Sequence, residues 1–168
     1  LKMATKWHSS RRSPEASVAV RVQTEDFDAG LEINRMRLSR TDTGAVATFI
    51  GQVRDLNDGS SVSSLTLEHY PGMTEKALEK IVEEAKQRWD VFDALIVHRV
   101  GTLKPTDQIV LVVVGGAHRG DALAACQFIM DYLKTDAPFW KKEQTSDGER
   151  WLDAKVSDDV ARERWLKK

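Results

Sequence analysis

Three groups of basic residues at the ends of candidate elements are where this 168-residue chain can do chemistry. The first is Arg54, closing a β-rich stretch that carries Gly51-Gln52-Val53. An arginine there is either a solvated charge or a fork that grips a carboxylate or phosphate at two points. The second is Ala117-His118-Arg119-Gly120, between Gly115-Gly116 and an apolar helix. Free N–H groups and the dipole at a helix N-terminus attract anions. His118 and Arg119 add to that preference, although His118 in isolation reads equally well as a cap of the turn. The third group is Lys134 and Lys141, on either side of Pro138. Lysines near a helix C-terminus ordinarily complement its dipole. Here the turn would fold both ammonium groups into one cleft, where crowded cations depress an amine's pKa. A less protonated amine can act as a base or nucleophile. The Phe139-Trp140 flank is expected to exclude water.

Other residues carry less. His98-Arg99 lies inside a β-rich run, where neighbouring side chains face opposite ways, and is expected to be structural. Cys126 sits in the apolar helix, where a packed small side chain is its expected role. As the single cysteine, it excludes an intramolecular disulfide framework and a Cys-cluster zinc site. No Walker loop, H-E-x-x-H or G-x-S-x-G motif occurs. The 25 Lys+Arg against 26 Asp+Glu give a net charge of -1, which weighs against a nucleic-acid platform. The longest strongly apolar run, Ile109 to Val114, is too short to cross a bilayer.

Positioning these groups falls to an alternation of strands and helices. Val18, Val20 and Val22 alternate as in a half-buried strand. A helix is expected over 28–38, a strand over 45–53, and a second strand over 62–69. The turn Asn57-Asp58-Gly59-Ser60 makes that pair read as a hairpin. Leu78, Ile81, Val82, Ala85 and Trp89 define an amphipathic helix over 74–89. Strands follow over 94–100 and 109–114, the latter apolar on both faces and therefore central. The helix over 121–133 is apolar almost all round, so it is either deeply buried or covered by another subunit. Pro138 ends it. Strands over 142–145 and 150–154 flank Asp147-Gly148, and Ser157 is expected to cap a final polar helix. Hairpins mixed with helices make an α+β domain over 17–168, with a disordered tail over 1–16.

Longer motifs then stand out: Leu67-Glu68-His69-Tyr70-Pro71-Gly72-Met73, Ala117-His118-Arg119, and Phe128-Ile129-Met130-Asp131-Tyr132-Leu133-Lys134, running on into Ala137-Pro138-Phe139-Trp140-Lys141-Lys142-Glu143. In this order they resemble the catalytic (large) subunit family of molybdopterin synthase, from about Val18 to Trp165. The resemblance implies an α/β-hammerhead fold with mixed and antiparallel strands and an additional small β-hairpin region. It implies a sulfurtransferase of molybdenum-cofactor biosynthesis, working in the cytoplasm without a cofactor or metal. Sulfur would arrive as a thiocarboxylate on the C-terminal glycine of a ubiquitin-like small subunit. It would be inserted into cyclic pyranopterin monophosphate as the dithiolene of molybdopterin. The implied assembly is a heterotetramer around a homodimer of this chain, with no nucleic acid or membrane partner.

Residue by residue, the family's essential lysines fall on Lys134 and Lys141. Its substrate pocket falls on Gln52, Val53, Arg54, His118, Arg119, Lys142 and Glu143, with Lys155 as a contact supplied across the dimer. Gln52 stands where family members often have Lys, and Lys142 where they often have Arg. Lys141 is assigned to acid–base chemistry and Lys134 to the thiocarboxylate end, with the two roles exchangeable. The competing readings are a non-catalytic module that binds a ubiquitin-like protein and a nucleic-acid binder using Trp140. The paired lysines favour the enzyme.

Overall fold

The computed structural model describes residues 19–166; Val18 and the tail expected over 1–16 lie outside the described residues. Four strands form the main sheet: β1 (Val20–Gln23), β2 (Ala45–Gln52), β5 (Val91–Arg99) and β7 (Gln108–Gly116), in the order β1-β5-β7-β2. β1 runs parallel to β5, and the other pairings are antiparallel. β7 is central, as its two-faced apolar sequence predicts. Its alternation divides the core: Val110, Val112 and Val114 join the cluster on one face, Leu111 and Val113 that on the other.

α1 (Ala29–Leu38) covers the second face, packing Ile33 and Met36 there, and Asp28 caps it by accepting from Leu31 N. α2 (Met73–Arg88) and α3 (Arg119–Asp136) cover the first face. Leu78 and Phe128, both fully buried, are among their core contributions. α3 exceeds the expected span at both ends and is mostly buried, although Leu123 is exposed.

A second sheet contains β3 (Leu56–Asn57), β4 (Ser60–His69), β8 (Phe139–Thr145) and β9 (Gly148–Leu152), with β6 (Gly101–Leu103) also paired to β4. The expected hairpin of 45–53 with 62–69 does not form. β2 pairs with β7 instead, and β4 hairpins with the two-residue β3 through Asp58-Gly59. Both turn residues have positive φ, 49° and 79°, the twist that suits a two-residue hairpin. Burial explains the choice: Ala47 joins the main core, whereas Val62, Leu65 and Leu67 are buried in the second sheet.

α4 (Val156–Glu163) closes the chain with Lys155, not Ser157, at its N-cap position. It is polar as expected, with Val156 and Val160 largely exposed on it. Trp165 just beyond it anchors the helix. Its indole packs edge-on against Trp89 and Phe128 and donates from Nε1 to Asp131 at 2.8 Å. Phe128 also contacts Trp89 and Tyr132. Phe128→Ala is therefore expected to cost about 3–5 kcal/mol through the cavity it leaves. Urea unfolding would read this as a lower midpoint with little change in slope.

Candidate active site

The chain reversal at Pro138 builds the cleft. α3 ends at Asp136, Ala137 turns extended, and β8 starts at Phe139. Buried Thr74, in the first turn of α2, fixes the corner by donating from Oγ1 to the Pro138 carbonyl at 3.1 Å. The same hydroxyl accepts from Tyr70 N at 3.0 Å. Phe139 then stacks on His98 with ring centroids 3.8 Å apart. This brings Lys134, from the last turn of α3, and Lys141, from β8, to one cavity of about 630 Å³.

Gln52, Val53, Arg54, Glu143 and Lys155 line the same cavity, with apolar walls from Leu65, Ile109, Met130 and Leu133 among others. The end of β2 is held by the neighbouring turn: Val53 N donates to the Asp107 carbonyl at 3.0 Å and Gln52 Nε2 to that of Thr106 at 3.1 Å. Arg54, exposed at the strand end, reaches Asn57 Oδ1 at 3.4 Å.

Lys141 is the electrostatic centre. Burial is the largest influence lowering its pKa; the Lys134 and Lys155 charges act in the same direction and Asp158 opposes them. Cation crowding, the cause expected from the sequence, is thus secondary to the loss of water around the ammonium. Lys134 is more open and lies 3.7 Å from Asp158.

Several expected site residues serve other ends. Glu143 is 5% exposed, and its carboxylate is already occupied. It accepts from Asn57 Nδ2 at 2.7 Å and from two Arg150 nitrogens at 3.0 and 2.9 Å. It therefore braces the cleft wall. Lys142 does not line the cavity, because strand alternation turns it to the opposite side from Lys141 and Glu143. There it lies 3.3 Å from Glu149 and 5.5 Å from the Trp151 ring centroid. Trp140 shares that alternation and is exposed, so Phe139 alone of the aromatic pair backs the cleft. Lys155, expected from across a dimer, lines the cavity of its own chain and reaches Asn57 Oδ1 at 3.4 Å.

His118 and Arg119 are not in this cavity. They line a separate open concavity of about 490 Å³ with Gly44, Ala117 and Gly120. Gly44 is required there, because a Cβ would stand 2.2 Å from the Ala117 carbonyl oxygen. Fifteen residues of α3 separate Arg119 from Lys134, about 22 Å at about 1.5 Å per residue.

Sequence reasoning missed Asn57 and Asp158. Asn57 was legible as a turn residue. Its burial between Arg54, Lys155, Glu143 and Arg150 depends on contacts 86 to 98 residues away in sequence, except that with Arg54. Cys126, as expected, is buried, and that burial pushes its thiol up to about 11, away from nucleophilic use.

An α+β domain with helices on both faces of its main sheet, and a cationic cleft around a partly buried amine, is the kind of domain that can hold an anionic ligand. Comparison with known proteins gives this class its family. The MoaE protein family model matches residues 22–136. The molybdopterin synthase catalytic subunit of Ralstonia nicotianae is 65% identical over 146 residues, covering 87% of this chain and 83% of that protein. The subunit of that name from Escherichia coli is 52% identical over 150 residues, 89% and 99% of the two chains. The solved MoaE protein of Burkholderia ambifaria superposes with a TM-score of 0.76 at 57% identity, covering 88% and 97%. Molybdopterin synthase from Staphylococcus aureus gives 0.73 at 32% identity, covering 79% and 96%. The chain belongs to the MoaE family of molybdopterin synthase catalytic subunits. Among the described residues, no helix is long and apolar enough to cross a membrane.

His98 supplies a test of the cleft's rear wall. Burial first, and then the charges of Lys141 and His69, lower its pKa from 6.5 to about 4, against the opposing Arg99 carbonyl. That carbonyl lies 2.8 Å from Nδ1 and accepts from it in the neutral ring. A folded-state pKa below the unfolded one means stability present above pH 6.5 and lost as pH falls toward about 4. The loss is expected to reach about 3 kcal/mol. His98→Phe should flatten the fall of melting temperature over that window.

Proposed function

We propose that the cleft around Lys141 is where this chain, as the catalytic subunit of a molybdopterin synthase, transfers sulfur to cyclic pyranopterin monophosphate. The donor is the thiocarboxylated C-terminus of a ubiquitin-like small subunit. The observation that carries the assignment is a partly buried amine, its pKa lowered, in a cleft shared with Lys134, Arg54 and Lys155. The reaction takes place in the cytoplasm, where an unpaired cysteine such as Cys126 is stable.

Each sulfur transfer forms a carbon–sulfur bond to the pterin side chain and displaces an oxygen from it. Hydrolysis of the resulting thioester leaves the sulfur on the substrate and a carboxylate on the partner's terminal glycine. Protons must therefore reach the departing oxygen and leave the attacking water. Lys141 suits that work, since an amine with a lowered pKa exchanges protons nearer neutrality. Lys134, at the open rim, holds the carbonyl and sulfur of the partner's extended tail. Arg54 offers the substrate's anionic groups a guanidinium fork. Gln52, Val53 and Lys155 shape and charge the same pocket.

His118 and Arg119 complete a cleft belonging to the other copy in a homodimer, which forms the centre of a heterotetramer with the small subunits. The support is their own concavity, about 22 Å along a straight helix from Lys134. That concavity has the helix-start N–H groups and cations suited to an anion.

Lys141→Ala is expected to abolish dithiolene formation while folding and small-subunit binding persist. Mass spectrometry after incubation with thiocarboxylated small subunit and cyclic pyranopterin monophosphate reads the product. Near-parental turnover would remove Lys141 from the chemistry. A dimer mixed from an Arg119→Ala chain and a Lys141→Ala chain should regain activity at one of its two clefts, whereas each variant homodimer stays nearly inactive. Absence of recovery would assign the whole pocket to one chain.

A further inference from the structure

We propose that Asp158 is a positioning residue of the amine pair: its carboxylate holds the Lys134 ammonium at the cleft rim and supplies the countercharge the lysines otherwise lack. The proposal rests on the reading of Lys134 and Lys141 as the working amines. Asp158 lies in the first turn of α4, one turn beyond Lys155, with its N–H donating to the Lys155 carbonyl at 2.8 Å. Trp165 pins the far end of that helix, so the carboxylate is delivered from a fixed element. Its side chain is 23% exposed and stands 3.7 Å from Lys134.

Other carboxylates nearby are already engaged. Glu143 is taken by Asn57 and Arg150, and Asp131 by Trp165 and Arg164. The charged or titratable groups facing the amines are thus Arg54 after β2, His98 on β5, Cys126, Asp131 and Lys134 on α3, Glu143 on β8, and Lys155 and Asp158 at the start of α4. Lys134 and Asp158 also line the adjoining cavity of about 460 Å³. Lys134 thus borders both cavities, and Asp158, lining the adjoining one, holds its ammonium toward that side of the rim.

Two physical effects give opposite signs. Removing the Asp158 charge takes away an influence that favours protonated Lys141, so the amine should lose its proton at lower pH. Undocking of α4 would instead let water reach Lys141 and remove the Lys155 charge, moving deprotonation to higher pH. The test uses the full chain carrying Asp158→Asn or Asp158→Glu. Acylation of Lys141 by a small amine-reactive anhydride is followed against pH by peptide mass spectrometry, alongside the pH dependence of sulfur transfer. In Asp158→Asn the amine's half-point should move down, so acylation on the acid side rises about two- to five-fold. Asp158→Glu should keep the parental half-point. An unmoved or raised half-point in Asp158→Asn would overturn the proposal. A lowered half-point with an unmoved sulfur-transfer profile would support Asp158's role and instead remove Lys141 as the proton carrier of the reaction.

Discussion

The geometry of the cleft depends on the reversal at Pro138, because that corner carries the chain from α3 directly into the strand bearing Lys141. Proline ends the helix but does not set the direction of the next strand. Thr74 does that, through a hydroxyl bonded to the Pro138 carbonyl and to Tyr70 N. It thereby ties the start of α2 to the exit of α3. Phe139, stacked on His98, is the next restraint. With both in place, Lys141 comes two residues later in β8, on the cleft side. A one-residue slip of β8 would exchange Lys141 for Lys142 and expose Glu143. The seven-residue pairing of β8 with β4 opposes such a slip.

That geometry decides which force governs the chemistry. Cations repel one another across the cleft, yet an exposed pair of lysines would repel only weakly through water. Lys141 differs because it is partly buried, and desolvation outranks Lys134 and Lys155 in lowering its pKa. The two lysines are thus differently placed. Lys134 is open and lies beside Asp158. Lys141, partly buried, gives up its proton more readily.

The sequence disclosed the elements better than it disclosed their partners. β7 was legible as central because both its faces are apolar, and α2 because its apolar residues repeat at helical spacing. The partner of β2 was not legible: a turn sequence at Asn57–Ser60 announces a hairpin without saying how long its first strand is. Two residues, Leu56 and Asn57, form it. At the cleft, Lys134 and Lys141 were legible from their position around Pro138, and Arg54 from its place at a strand end. Glu143 was legible only as part of a motif. Its work, bracing Asn57 and Arg150, depends on contacts that sequence spacing does not reveal. Lys142 shows the opposite error, since adjacency to Lys141 in the chain puts it on the other side of the sheet.

The bracing explains why the cleft can stay cationic without springing open. Asn57 is buried, and each of its polar groups meets a different element. Its side-chain amide donates to Glu143, its side-chain oxygen accepts from Arg54 and Lys155, and its backbone carbonyl accepts from Arg150. Glu143 neutralises Arg150 inside the wall. Two Arg150 nitrogens share Glu143 Oε2 while Oε1 accepts from Asn57, so the pair adds rigidity without taking charge from the pocket side. A buried carboxylate facing an incoming anion would repel it; one already saturated by an arginine and an amide does not. The β3–β4 hairpin, β8, β9 and the start of α4 are thus joined through one neutralised network. The pocket's remaining positive charge is left to Arg54, Lys134, Lys141 and Lys155, which line the cavity.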